Sequence, residues 1–234
     1  MSTVCIVIGI LFFICVLAGW IQGLFKVVIS VAGLIASIFI AAYMAPHVSG
    51  YLEEHTEVDD KLAAYISEEL QFSDSDEDNS RGVQVAIINA LPLPEDMKAN
   101  ILDNNNSEMY EALEVIGVYD YIAKSIAVVM LNAAVFLLLV FICRIFFFFL
   151  GKAAGGFSKL PIVKWIDKIG GGLLGAVRGV VLIWIFFLIL SITSTSAWSH
   201  EMIAAISESD LLKLLYDNNL LLDIVGDLTK VLFL

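Results

Sequence analysis

Ser125-Ile126-Ala127-Val128-Val129-Met130-Leu131-Asn132-Ala133-Ala134-Val135-Phe136-Leu137-Leu138-Leu139-Val140-Phe141-Ile142-Cys143 is a run of nineteen residues without a charge, closed by Lys124 on one side and Arg144 on the other. A helix needs roughly 20 mainly apolar residues to cross about 30 Å of hydrocarbon, and a charge at the bilayer centre costs roughly 2.5–3.5 kcal/mol. The run therefore reads as a transmembrane helix. Three more uncharged intervals lie along the chain, Met1 to Phe25, Val27 to Leu52 and Gly179 to His200. The predicted fold class is an all-α membrane protein with four transmembrane helices, at about 4–19, 25–45, 122–150 and 171–195.

Composition agrees. Of 234 residues, 59% are hydrophobic and 16% charged, against roughly 45–50% and about 25% in soluble domains. The net charge of −12 is segregated: residues 51–120 hold 18 acidic and 3 basic groups, whereas Arg144 to Arg178 holds six basic groups and the single acid Asp167. So acidic a balance argues against nucleic acid as a partner, because phosphate neutralisation needs a clustered Lys/Arg face. Cys5, Cys15 and Cys143 all sit in apolar runs as small hydrophobes, and His47, His55 and His200 have no second ligand at metal spacing, so neither a disulfide framework nor a metal or other cofactor is expected.

Charge sets the predicted topology. Arg144, Lys152, Lys159, Lys164, Lys168 and Arg178 fill the short connection between the third and fourth spans, which the positive-inside rule assigns to the cytoplasm. Lys26, between the first two spans, falls on the same side. Both termini and the acidic segment then face outward, on a multipass protein of the cell membrane. A cleaved leader is the alternative for the first interval, since Leu17-Ala18-Gly19 offers small residues, but Met1 to Val4 lacks the basic start of one.

Four regions follow: a helical hairpin over 1–49, an acidic extracytoplasmic insertion over 50–120, two spans and their basic loop over 121–200, and an acidic amphipathic tail over 201–234. In the insertion, Val58, Leu62, Tyr65, Ile66 and Leu70 recur at helical spacing, Pro94-Glu95-Asp96 reads as a helix start, and Met109, Leu113 and Ile116 continue a stripe toward the third span. Asp74-Ser75-Asp76-Glu77-Asp78 is no EF-hand, because the sixth and twelfth positions are Asn79 and Val85. Asn105-Asn106-Ser107 matches the glycosylation tripeptide, a short pattern that arises by chance. Pro46 is expected to end the second span.

Two clusters of small residues stand out. Gly19 and Gly23 flank the first turn and permit either a break or a close helix contact. Gly171, Gly175 and Gly179, four apart, form a smooth stripe for another helix. Asp167 and Arg178 lie eleven residues apart, on one face of a continuous helix. They read either as a membrane-level charge pair or as two headgroup-level charges without mutual contact, and neighbouring Lys164 and Lys168 favour the second. Arg144 is expected to snorkel toward the headgroups.

Gly19-Trp20-Ile21-Gln22-Gly23, Leu160-Pro161, Asp167-Lys168, Gly170, Gly175 and Arg178-Gly179, with Ser209-Asp210-Leu211 through Asn218, make the chain resemble the colicin V production (CvpA) family of bacterial inner-membrane proteins. The resemblance covers about 1–50 and 121–220 and leaves the acidic insertion as a departure. It implies a multipass protein associated with production or export of a peptide toxin and with envelope homeostasis. No GxSxG nucleophile motif is present, and no acid, base or nucleophile constellation lies at membrane depth, so the expected role is a non-enzymatic scaffold or assembly partner. Its expected partners are the lipid bilayer, other membrane or envelope proteins and further copies of itself. A small oligomeric channel or transport accessory, with Arg144, Asp167 and Arg178 in an inner vestibule, is the alternative.

Overall fold

The computed structural model describes residues 3–69, 81–90, 95–153, 164–193 and 196–232. Its helices are α1 (Thr3–Gln22), α2 (Leu24–His55), α3 (Val58–Glu69), α4 (Arg81–Ala90), α5 (Glu95–Asp103), α6 (Ser107–Ala112), α7 (Val118–Ala153), α8 (Lys164–Ile192), α9 (Ala197–Ser207), α10 (Asp210–Asp217) and α11 (Leu220–Leu232). No strand occurs among the described residues. Among the described residues four helices, α1, α2, α7 and α8, are long and apolar enough to cross a membrane. Lys159, Leu70, Pro94 and the Asp74–Asp78 run lie outside the described residues.

The spans are longer than the sequence reading allowed. At 1.5 Å per residue the 32 residues of α2 cover about 48 Å and the 36 of α7 about 54 Å, well past a 30 Å hydrocarbon layer. Pro46 does not end α2. It lacks the N–H that would bond the Ala42 carbonyl, yet Ala45 and Ser49 on either side of it are fully buried, so continuing the helix covers apolar surface that a break would expose. The fourth span starts at Lys164 rather than near 171, because glycines 170–172 are held inside the helix by packing. The expected stripe through Met109, Leu113 and Ile116 breaks: Glu114 turns left-handed (φ 56°), Val115 N–H bonds the Tyr110 carbonyl at 3.0 Å, and Ile116 is left 95% exposed.

Spans consecutive in the chain run antiparallel, which leaves α2 and α8 parallel. α1 lies along α8, and α2 along α7 with a second contact to α8. Against α7, α2 presents Ser37, Ala41, Ala45 and Ser49, a small residue every four positions and each fully buried. The two hydroxyls turn back onto their own helix, Ser37 to the Gly33 carbonyl at 2.7 Å and Ser49 to that of Ala45 at 2.8 Å, so the surface they offer is smooth and satisfied. Ala41 and Ala45 share one buried cluster with Tyr121, Ile122, Ile126, Ala127 and Phe136 of α7.

In the middle of α7, Asn132 is fully buried and neither its amide N–H nor its oxygen has a partner. An unsatisfied buried polar group costs about 1–3 kcal/mol, so Asn132→Leu, which keeps the branching at Cγ, is expected to raise stability by about 1–2 kcal/mol in reversible unfolding from mixed micelles. A loss of stability would show that the amide has a partner in the membrane.

The tail is tied to α8. Trp184 Nε1 donates to the Leu215 carbonyl at 3.1 Å, Asn219 returns a bond to the Trp184 carbonyl at 3.0 Å, and the hydroxyls of Tyr216 and Ser191 meet at 3.0 Å. Burial pushes the Tyr216 hydroxyl above its ordinary pKa. α10 leaves Leu211 and Leu214 exposed beside Asp210, Lys213 and Asp217, as an amphipathic helix at a membrane surface would.

Candidate functional site

The α1–α2 turn rests on Gly23, whose φ of 81° suits glycine and sends α2 back along the bundle. Gly23 cannot cap α2 with a side chain. The cap comes from α8: Asp167 Oδ1 accepts the Leu24 N–H at 2.9 Å, and a Cβ on Gly23 would collide with that carboxylate. Asp167 also lies in the first turn of α8, so one negative charge faces the positive ends of two helix dipoles. Asp167→Ala should cost about 1–2 kcal/mol in the same unfolding assay, and Asp167→Asn, which keeps an acceptor, less than half of that. Equal losses would mean that charge alone matters.

Above this cap the backbones of α1 and α8 touch. A Cβ on Gly19 would collide with the Gly171 carbonyl and stand 2.9 Å from Gly175 Cα; one on Gly175 would stand 2.5 Å from the Cys15 carbonyl. At Gly179 the neighbour is the Phe12 ring, 3.0 Å away. The two glycine clusters of the sequence are thus the two halves of one clasp, so the partner of the Gly171 stripe is α1 of the same chain. Gly170, against Leu24, extends it.

The charges part company. Asp167 and Arg178 make no bond; eleven residues place them about 16 Å apart along α8. Arg144 does not simply snorkel: Nη2 donates to Ser30 Oγ at 2.7 Å, and Nη1 lies against α2 where Gly33 leaves room, 3.2 Å from the place of a Cβ. Arg178 is the charged neighbour that Arg144 feels, and it has no acid partner among the described residues. Lys26 and Lys168 are exposed at the turn; Lys152 and Lys164 fall in the terminal turns of α7 and α8.

At the opposite end, Lys124 bonds Asp59 Oδ2 at 2.7 Å and also Asp60, with the Lys124 and Asp59 side chains almost wholly buried. Glu53 Oε1 and Asp59 Oδ1 are buried without partners beside a cavity of about 730 Å³ that Glu114 and Asp120 also line. Sequence reasoning missed this cluster, since its members are far apart in the chain, and it missed Ser30 and Gly33. Asn105, in the tripeptide, is engaged at both ends of its amide, by Gln84 at 2.7 Å and Tyr110 at 2.8 Å, while Asn106 caps α6. No trio of metal-ligating side chains occurs among the described residues, and the three cysteines are free thiols.

The family model for colicin V production protein matches residues 4–73 and 113–219, taking in the clasp, its cap and both arginines. The chain belongs to the colicin V production protein family. No curated protein and no solved structure matches it significantly. Family membership and four apolar helices make it a membrane protein connected with colicin V production. The family match also narrows the departure expected over the whole insertion: α3 and the approach to α7 fall within it, and only 74–112 lies outside.

Proposed function

We propose that this colicin V production family member is a non-enzymatic scaffold of the cell envelope, a membrane-embedded assembly partner for components that toxin production or export and envelope homeostasis require. The observation that carries the reading is the filled interior. Ala41, Ala45, Ala127, Phe136 and Leu188 are fully buried among the spans, and the small cavity beside Leu188, about 10 Å³, has room for one water at most. A conducting path needs polar lining through the bilayer. What is left for contact is the perimeter, where Phe39, Tyr43, Phe141, Phe146 and Phe149 stand exposed on α2 and α7. In this reading other envelope proteins and further copies of the chain dock there, both termini and the acidic insertion face outward, and the basic connection faces the cytoplasm.

The test is paired. Proteoliposomes containing the chain should be no more permeable to small ions than empty ones, while Phe141→Ser and Phe146→Ser should abolish cross-linking to neighbours in native membranes. Flux lost on Arg178→Ala would establish the oligomeric channel instead. For topology, with Cys5, Cys15 and Cys143 replaced by alanine, a membrane-impermeant thiol reagent added outside should label Ser75→Cys and spare Ser158→Cys. The opposite pattern would invert the orientation.

A further inference from the structure

Arg144 and Arg178 present an unbalanced charge inside an apolar belt. Ser30, which holds Arg144, is six residues into α2, about 9 Å above the turn at Gly23. Side chains lean toward the N-terminus of their own helix, and α7 and α8 run in opposite directions. Arg144 therefore leans away from the turn and Arg178 toward it, so the two guanidinium groups converge on the level of Ser30. Around them Phe148 on α7 and Leu173 and Val177 on α8 are exposed and apolar, as lipid-facing residues are.

Among the described residues no counter-ion lies at that level. The acids within the four long helices are Glu53, Glu54, Asp120 and Asp167. The first three are at the far end, and Asp167 holds the Leu24 N–H about 16 Å below Arg178. Arginines in this setting draw headgroups and water inward, and their planar forks match the oxygens of a phosphate. We propose that Arg144 and Arg178, with the Ser30 hydroxyl and the notch at Gly33, form a binding site between α2, α7 and α8 for the phosphate of an anionic membrane lipid. Its acyl chains lie over Phe148 of α7 and Leu173 and Val177 of α8. A zwitterionic headgroup is disfavoured because its own cation would face two arginines.

Native mass spectrometry of the full chain released from detergent micelles tests this, with phosphatidylglycerol, phosphatidylcholine and inorganic phosphate as probes. One phosphatidylglycerol should be retained per chain at concentrations where phosphatidylcholine is not. The variant carrying Arg144→Gln and Arg178→Gln should bind it at least about tenfold more weakly, whereas Lys26→Gln with Lys168→Gln, which removes as much surface charge, should leave that lipid bound. If the glutamine pair does not purify folded, the pair Arg144→Lys and Arg178→Lys keeps the charge and loses the fork, and a loss of at least about threefold is expected. Equal retention of phosphatidylcholine, unchanged binding by the arginine variants, or displacement of the lipid by equimolar inorganic phosphate would each overturn the site; the last would make it one for a free anion.

Discussion

Gly171→Val is expected to separate the first helix from the last span and to cost about 3 kcal/mol or more in reversible unfolding from mixed micelles. A Cβ at that position meets the Gly19 carbonyl oxygen and lies 2.9 Å from the Gly23 carbonyl carbon. Neither neighbour is the loose end of a side chain, so relief requires two helices to part over the length of the clasp, and the Asp167 bond to Leu24 is lost with it. The control is next door. A Cβ on Gly172 meets only the Trp20 ring, at 3.4 Å, an ordinary contact. Gly172→Ala should therefore be near neutral, and equal tolerance at 171 and 172 would refute the backbone-to-backbone packing.

Lys124→Met should be comparably severe, about 3–5 kcal/mol, for an electrostatic reason. Asp59 is only 7% exposed, and its partner in charge is Lys124; with the ammonium removed, the Asp59 carboxylate is left buried beside Glu53 and Asp60. Adding Asp59→Leu to Lys124→Met removes the stranded charge and should recover most of the loss. A double mutant no better than the single would show that the ion pair is not what holds α3 to α7.

Much of this was legible along the chain, and the reason is solvent. In hydrocarbon a charge is so costly that four uncharged intervals locate four spans, and the glycine spacing at 171, 175 and 179 marks a face where backbones approach. The helix ends were less legible. Pro46 and glycines 170–172 carry breaking propensities that packing overrides: the buried Ala45 and Ser49 keep α2 going, and α1 shelters the glycines of α8. What single residues could not disclose was pairing. Nothing local to Asp167 says that it accepts the Leu24 N–H, 143 positions earlier, nor that Arg144 meets Ser30, 114 positions away. Such bonds come from the order in which helices lie side by side, and a chain read one segment at a time does not contain that order.

The cap on α2 bears on biogenesis. A ribosome delivers Leu24 long before Asp167, and until the last span enters the bilayer the amide at the start of α2 has no carboxylate to meet and the face of α1 at Gly19 has nothing against it. The amino-terminal hairpin is thus inserted early but completed late. α8 closes on α1 and on the start of α2, and it acts as the keystone that turns four inserted helices into one body.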